Sequence, residues 1–365
     1  MNKKIKIITL YAIVLGAFVC CNKNKDDKYF NGDILYLNNR HKVLNVTSKD
    51  VKMYGANYGM IAVYDSLLIC WNPKLANYFF NIFNVDTGEE IGSFCNRGQG
   101  PEDAASINCI YQFFKKENDL MTLLYAANEG KLFFWNLSKS IENRKTVFDT
   151  IVSYKNNRIF FQFYKSEDIL FAYKPSDYLN KEEVATPFYE KRTILTNHLI
   201  QDYPIYKKQS VRNSSAAAVN TLDFFFYTWD VIKPDGSKIA QAMRHLPQIN
   251  ILDTNTGDVV GYRLQNSPDY SLLEKDMEFM NIYYNSIHAD DKYIYASYWG
   301  KGPWDTNNPF LNTIHVLDWS GKLLYKLMAD RPYFRIWLDQ VRNRLYTTDY
   351  TTDEVYYLDL NELNL

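Results

Sequence analysis

One kind of hairpin recurs along the chain and limits what it can fold into. At 82–94 the residues read IFNVDTGEEIGSF, at 249–264 INILDTNTGDVVGYRL and at 314–327 IHVLDWSGKLLYKL. Each is an apolar run reaching an Asp, a turn containing Gly, and a second apolar run. Asp offers a side-chain acceptor to the turn's own amides and Gly supplies positive φ, the two things a tight hairpin needs. A second element, seen in SIHADDKYIYASYWG at 286–300 and RIWLDQVRNRLYTTDY at 335–350, runs from an apolar strand through an Asp-containing turn into a Tyr-rich strand. In order, the two elements make a four-stranded antiparallel meander. Such a unit repeated along one chain specifies propeller blades.

Six units can be traced, so the sequence predicts an all-β, six-bladed β-propeller with four-stranded antiparallel blades. The inner strands are expected to begin near Met60, Ile107, Ile159, Ala217, Ser286 and Phe334, a repeat of roughly 45 to 70 residues. The stretch NKEEVATPFYEKR at 180–192 interrupts the alternation and reads as an insertion or a short helix. The last blade shows three clear strands, ending in EVYYLDL at 354–360. Its fourth is expected from the N-terminal segment ILYLNNRHKVLNV at 34–46, which closes the ring and removes a free edge. A 365-residue chain that is 47% hydrophobic and 16% aromatic can bury one large core. Its formal net charge of −1, without a basic cluster beyond the extreme N-terminus, argues against a nucleic-acid partner.

The N-terminus carries an address. Lys3, Lys4 and Lys6 form a positive start, and the apolar run Ile7 to Val19 is shorter than the ~20 residues a membrane span needs. Cys20-Cys21 follows and leads into NKNKDDK, an arrangement that resembles the lipobox of bacterial lipoproteins. Cys21 is the assigned lipidation site, because Cys20 would place the β-branched Val19 where a small residue is wanted. The expected organisation is a signal peptide over 1–21 ending at the lipidated Cys, a flexible tether over 22–32 and one propeller domain over 33–365. The anchor makes the membrane a partner. Lys25-Asp26-Asp27 resembles the signal that sends some Bacteroidetes lipoproteins to the cell surface, and a solvated tether explains it equally well. Cys70, Cys95 and Cys109 remain, an odd number without C-x-x-C spacing, and are expected as buried free thiols.

The export signal, the blade pattern, KPDGSKIAQAMR at 233–244, TIHVLDWSGKLLYKL at 313–327 and RGQGPED at 97–103 together resemble the TolB-like six-bladed propeller lipoproteins of Bacteroidetes. The similarity runs from about the thirties onward. It implies a six-bladed propeller and an envelope lipoprotein, and it implies no established reaction. In the family's glycine-proline loop a Gly more often follows the Pro; here Glu102 follows Pro101.

Catalytic patterns are absent: there is no G-x-S-x-G, H-E-x-x-H or G-x-x-x-x-G-K. The histidines, His41, His198, His245, His288 and His315, are dispersed, and His288 and His315 read as strand residues. DTNTGD at 253–258 lacks the EF-hand order, and its recurrence as a hairpin turn favours turn chemistry over calcium. No cofactor and no metal is expected. Ligand-binding candidates are Trp299 and Trp304, which bracket a Gly- and Pro-containing loop and offer aromatic faces, and Arg244 in AMRHL. In CNRGQGPEDA at 95–104 the topology itself demands a pliable crossing from one blade to the next. Gly98 and Gly100 permit positive φ and Pro101 pushes Gly100 into an extended conformation, while Arg97 and Gln99, which the turn does not require, are expected at the central mouth of the ring.

The function expected from the sequence is a lipid-anchored binding or interaction module of the cell envelope, at the outer membrane, with a protein or glycan ligand at the propeller face. Two alternatives are an envelope enzyme of lactonase-like or lyase-like propeller type with a metal in the central channel, and an accessory of a glycan-uptake system.

Overall fold

The computed structural model describes residues 28–37, 40–54, 60–72, 75–154, 160, 162–174, 188–207, 225–274, 281–302, 311–349 and 351–363. Cys21, Trp304 and most of the insertion expected at 180–192 lie outside the described residues.

Three short strands come first: β1 (Asp33–Leu37), β2 (Lys42–Val46) and β3 (Ser48–Asp50). Six antiparallel sheets follow in chain order. Blade one is β4 (Met60–Tyr64), β5 (Leu67–Trp71), β6 (Tyr78–Asn84) and β7 (Glu90–Asn96); blade two is β8 (Phe113–Lys116), β9 (Asp119–Ala126), β10 (Lys131–Asn136) and β11 (Phe148–Ser153). Blade three is β12 (Gln162–Ser166), β13 (Ile169–Lys174), β14 (Phe188–Thr193) and β15 (Leu199–Tyr203); blade four is β16 (Thr228–Ile232), β17 (Lys238–Met243), β18 (Gln248–Asp253) and β19 (Val259–Leu264). Blade five is β20 (Ile282–Ala289), β21 (Tyr293–Lys301), β22 (Thr313–Asp318) and β23 (Leu323–Ala329), and blade six is β24 (Ile336–Asp339), β25 (Arg344–Thr348) and β26 (Val355–Asp359). The molecule is a six-bladed β-propeller.

Inner strands start later than the sequence suggests at Ile107 and Ile159, where β8 begins at Phe113 and β12 at Gln162. Ile107 and Ile110 are buried by packing without ladder pairing, so an apolar run there imitates a strand. Ala217 lies outside the described residues.

The ring closes differently from the expectation. Residues 34–46 do not complete blade six. β3 does so, pairing antiparallel with β26, while β1 adds as a parallel fifth strand to β19 and β2 to β23. The N-terminal segment is therefore a belt along the outer edges of blades four, five and six. Its start is packed as well: Tyr29 is 5% and Phe30 2% exposed, and Phe30 bridges Tyr206. Tyr29 and Phe30, which the sequence assigned to a flexible tether, are therefore packed on the folded body.

Meander topology separates the connections into two faces. Hairpins within the first and second strand pairs, and within the third and fourth, emerge on one face, here the turn face. Three of them are two-residue loops, Asp65-Ser66, Glu117-Asn118 and Glu167-Asp168. The leading residue of each sits at φ 53°, 55° and 51°, the left-handed conformation whose twist matches the flanking strands. In the Gly-containing turns, Asp253 Oδ1 accepts from the Asn255 and Thr256 amides at 2.9 and 3.1 Å, and Asp318 Oδ1 from those of Ser320 and Lys322 at 2.9 and 3.0 Å. This is the turn chemistry read from DTNTGD. In the first blade Asn84, not Asp86, plays that part. The connections between blades, and those between second and third strands, leave from the opposite face, here the entry face, where each inner strand begins.

Candidate functional site

The six inner strands surround a central channel with a cavity at each end. The entry-face cavity, of about 260 Å³, is bounded by the beginnings of β4, β12, β16 and β24, by β20, and by the irregular run before β8. The turn-face cavity, of about 410 Å³, is bounded by the opposite strand ends and holds Lys115, Lys165, Glu167 and Asp235. Tyr111, Val231, His288 and Trp337 border both, so they form the waist between them. His288 lies tilted against Trp337 at 4.4 Å between ring centres, and burial lowers its pKa to about 3.

The entry-face cavity has apolar walls, among them Met60, Ile61, Ile110, Ile287 and Ile336. Several of its polar side chains carry a buried atom without a hydrogen-bond partner. Arg335, immediately before β24, lays its guanidinium 4.2 Å from the centre of the Trp229 ring and 5.1 Å from that of Phe334, and one of its nitrogens touches the Met60 sulfur. Its Nε is buried without an acceptor. Among the described residues no carboxylate pairs with it; the neighbours that bear on its charge are Tyr227, Cys109, Tyr111 and Arg244. Burial first, with the Arg244 charge opposing as well, holds its pKa below the ordinary arginine value.

Arg244, expected from the sequence as a binding residue, lies at the end of β17. Its backbone N–H donates to the Tyr227 carbonyl at 3.0 Å, and its carbonyl accepts from the Tyr283 amide at 2.7 Å. Burial lowers its pKa too, its Nε is also without an acceptor, and Tyr227 is the group that offsets the shift. Tyr227, 41% exposed, lines the cavity, and both arginine charges bear on its hydroxyl.

Asp230 supplies the opposite sign. Its Oδ2 accepts from the Tyr189 hydroxyl at 2.7 Å and from the Gln162 amide at 3.0 Å, and its Oδ1 is buried without a donor. Burial raises its pKa to about 6 against those hydrogen bonds. The indole N–H groups of Trp71 and Trp229, both cavity residues, likewise have no acceptor.

The other sequence candidates are placed elsewhere. Arg97 borders neither channel cavity: its Nε donates to the carbonyls of Leu75 and Tyr78, both at 3.0 Å, and its guanidinium lies 3.9 Å from the centre of the Phe79 ring. Gln99 is exposed on the same loop. Neither Gly98 nor Gly100 has positive φ; Cys95 does, at 62°. The glycines are needed for close approach, since a Cβ on either would meet Asp103 Oδ2 at 2.5 or 2.6 Å, and that oxygen accepts from the Gly100 amide at 3.1 Å. Trp299 belongs to β21 and not to a loop, and packs against the apolar cluster between blades five and six. Cys70 and Cys95 are buried and Cys109 half-buried, all as free thiols.

Sequence reasoning missed Arg335, Tyr227, Trp229 and Asp230. Arg335 precedes IWLD directly, so alignment of the inner-strand starts would have set it at the channel mouth. Tyr227 to Asp230 were hidden because the inner strand of blade four was expected some ten residues earlier.

Among the described residues no three His, Cys, Asp or Glu side chains cluster to hold a metal ion. No described helix is long and apolar enough to cross a membrane. The family model for TolB-like 6-blade propeller-like proteins matches residues 38–340. The chain belongs to that family. A crystal structure of a DUF4221-family member from Bacteroides vulgatus is similar, with 11% identity and a TM-score of 0.52, over 92% of this chain and 98% of that one. A Bacteroides fragilis chain provisionally called an exported protein aligns at 12% identity and a TM-score of 0.48, over 87% of this chain and 99% of that one. An identity of 11% to the first of these speaks to the fold alone. No curated protein matches the sequence.

Proposed function

We propose that this TolB-like propeller is a lipid-anchored module of the cell envelope, held at the outer membrane through Cys21, that binds a ligand at the entry face of its ring. The observation that carries the reading is the entry-face cavity, in which an apolar pocket meets Arg335, a cation without a carboxylate partner among the described residues. Buried charge without a counter-charge opposes folding, and its retention in a concave site fits a ligand that supplies the missing partner. The charged start, short apolar run and Cys21 of the sequence support the anchor.

Metabolic labelling with an alkyne fatty acid tests the anchor. The wild-type chain and Cys20→Ser are expected to take up label and fractionate with membranes, whereas Cys21→Ser takes up none and is released. Label retained in Cys21→Ser would overturn the assignment.

A further inference from the structure

The cavity's chemistry narrows the ligand, an inference that rests on the binding reading above. Arg335, from blade six, lines the cavity, and Arg244, at the end of a blade-four strand, adds a second positive charge that bears on Arg335 and Tyr227; neither has an anionic partner among the described residues. Arg335 is pre-oriented, because its guanidinium is held between the Trp229 ring at 4.2 Å and the Phe334 ring at 5.1 Å. A planar cation fixed in this way presents its free N–H edge for a carboxylate. Below it the walls are aliphatic and aromatic, which suits an apolar body and gives a small inorganic anion nothing to fill. A volume near 260 Å³ fits a small molecule. A neutral glycan would leave the Arg335 charge uncompensated and would find few hydrogen-bonding partners on these walls.

We propose that the entry-face cavity binds a small amphipathic carboxylate, its head group on Arg335 and its apolar body against Trp229 and the isoleucine walls. The unpartnered indole N–H groups of Trp71 and Trp229 offer further donors to the same ligand. Arg335 is then the residue that selects anion over neutral.

The test uses the full chain and three probes of one shape: phenylacetate, 2-phenylethanol and phenethylamine. Binding is read by tryptophan fluorescence, since Trp71, Trp229 and Trp337 border the cavity, and by calorimetry. Phenylacetate is expected to bind about tenfold or more tightly than 2-phenylethanol, the increment of one charge-assisted hydrogen bond, with phenethylamine weakest. Arg335→Met keeps an apolar stem of similar length and is expected to bring the carboxylate and the alcohol to within about threefold of each other. The ligand-free variant is expected to unfold at a higher temperature than wild type, which separates loss of binding from loss of fold. Equal affinity for acid and alcohol would overturn the anion inference and leave a binding cavity standing. An undiminished preference for phenylacetate in Arg335→Met would overturn the role of Arg335. Failure of all three probes to bind would overturn the inference, and Cys21 labelling would still report on the anchor.

Discussion

Asp230 shows how one side chain links the cavity to the stability of the fold. Tyr189 and Gln162 hydrogen-bond to it, and no cation bears on its charge. Its folded pKa of about 6 stands above the ordinary 3.8, so the folded protein holds this proton more tightly than the unfolded chain. The contribution is full below the unfolded value and is lost as pH rises through about 6, amounting to no more than about 3 kcal/mol. His245 and His315 run the other way. Burial lowers them to about 4 and about 3, so their contribution is present above 6.5 and is lost as pH falls toward those values. Between pH 4 and 6 Asp230 therefore offsets part of the histidines' acid destabilisation. Asp230→Asn keeps an oxygen for Tyr189 and Gln162 and removes the charge. It is expected to be more stable than wild type at pH 7, by on the order of 1–3 kcal/mol, and to lose stability more steeply on acidification to pH 4.5. Urea midpoints at pH 4.5, 5.5 and 7 read both effects, and superimposable pH curves for the two proteins would refute the account. None of this was legible in the sequence, because Asp230 in FFFYTWDVI gives no sign that its neighbours are Gln162 and Tyr189 of another blade.

At the scale of elements, blades one and six meet where the two ends of the chain must be joined, and their turns do the joining. Trp337 Nε1 donates to the Val63 carbonyl at 2.8 Å, and Asp339 Oδ1 accepts from the Asp65 amide at 3.1 Å. On the turn face Arg342 grips both Asp86 oxygens, at 2.7 and 2.8 Å, and reaches Asp65 at 3.0 Å. The hydrogen bonds from Arg342 hold the Asp86 pKa below the usual carboxylate value. Hairpins at 82–94 and 335–350 were legible as hairpins from their period and turn residues. Their partnership was not, since Arg342 and Asp86 are 256 residues apart and hairpin signals are local. The division of labour between Asn84, which closes the turn, and Asp86, which reaches the next blade, was hidden for the same reason. Arg342→Ala is expected to lower stability by about 1–2 kcal/mol, more than a lone surface pair would, because the guanidinium is forked and bonded to two acids. The loss should shrink in 0.5 M salt, as measured by denaturant unfolding. Equal losses at low and high salt would mean that packing of the Arg342 stem, and not the ion pair, carries the effect.

For the molecule as a whole, blade number followed from repetition, while closure did not. A ring whose last blade lacks a strand can be closed by any segment long enough to reach it, and the alternation in 34–46 made that segment the natural choice. The structure gives the task to the three residues of β3 and lays β1 and β2 along blades four and five. Only Leu37 and Val46 are buried in those two strands, so each anchors to its blade edge chiefly through backbone pairing and one apolar residue. Phe30, pressed against Tyr206 and Tyr270 at 6.0 and 6.1 Å between ring centres, fixes the belt's beginning. The belt thus ties three successive blades into the closure, and the ring should depend on it more than three residues of ladder suggest. A chain beginning at Lys28 keeps the whole belt and is expected to melt within about 2 °C of the full-length protein, whereas one beginning at Val51 exposes the edges of β19, β23 and β26 together. That shorter chain is expected to lose about 10 °C or more in melting temperature and to self-associate through its open edges, read by calorimetry and light scattering. A Val51 chain as stable and monomeric as the Lys28 chain would show that blade-to-blade packing at the seam, through Trp337, Asp339 and Arg342, suffices to hold the ring shut.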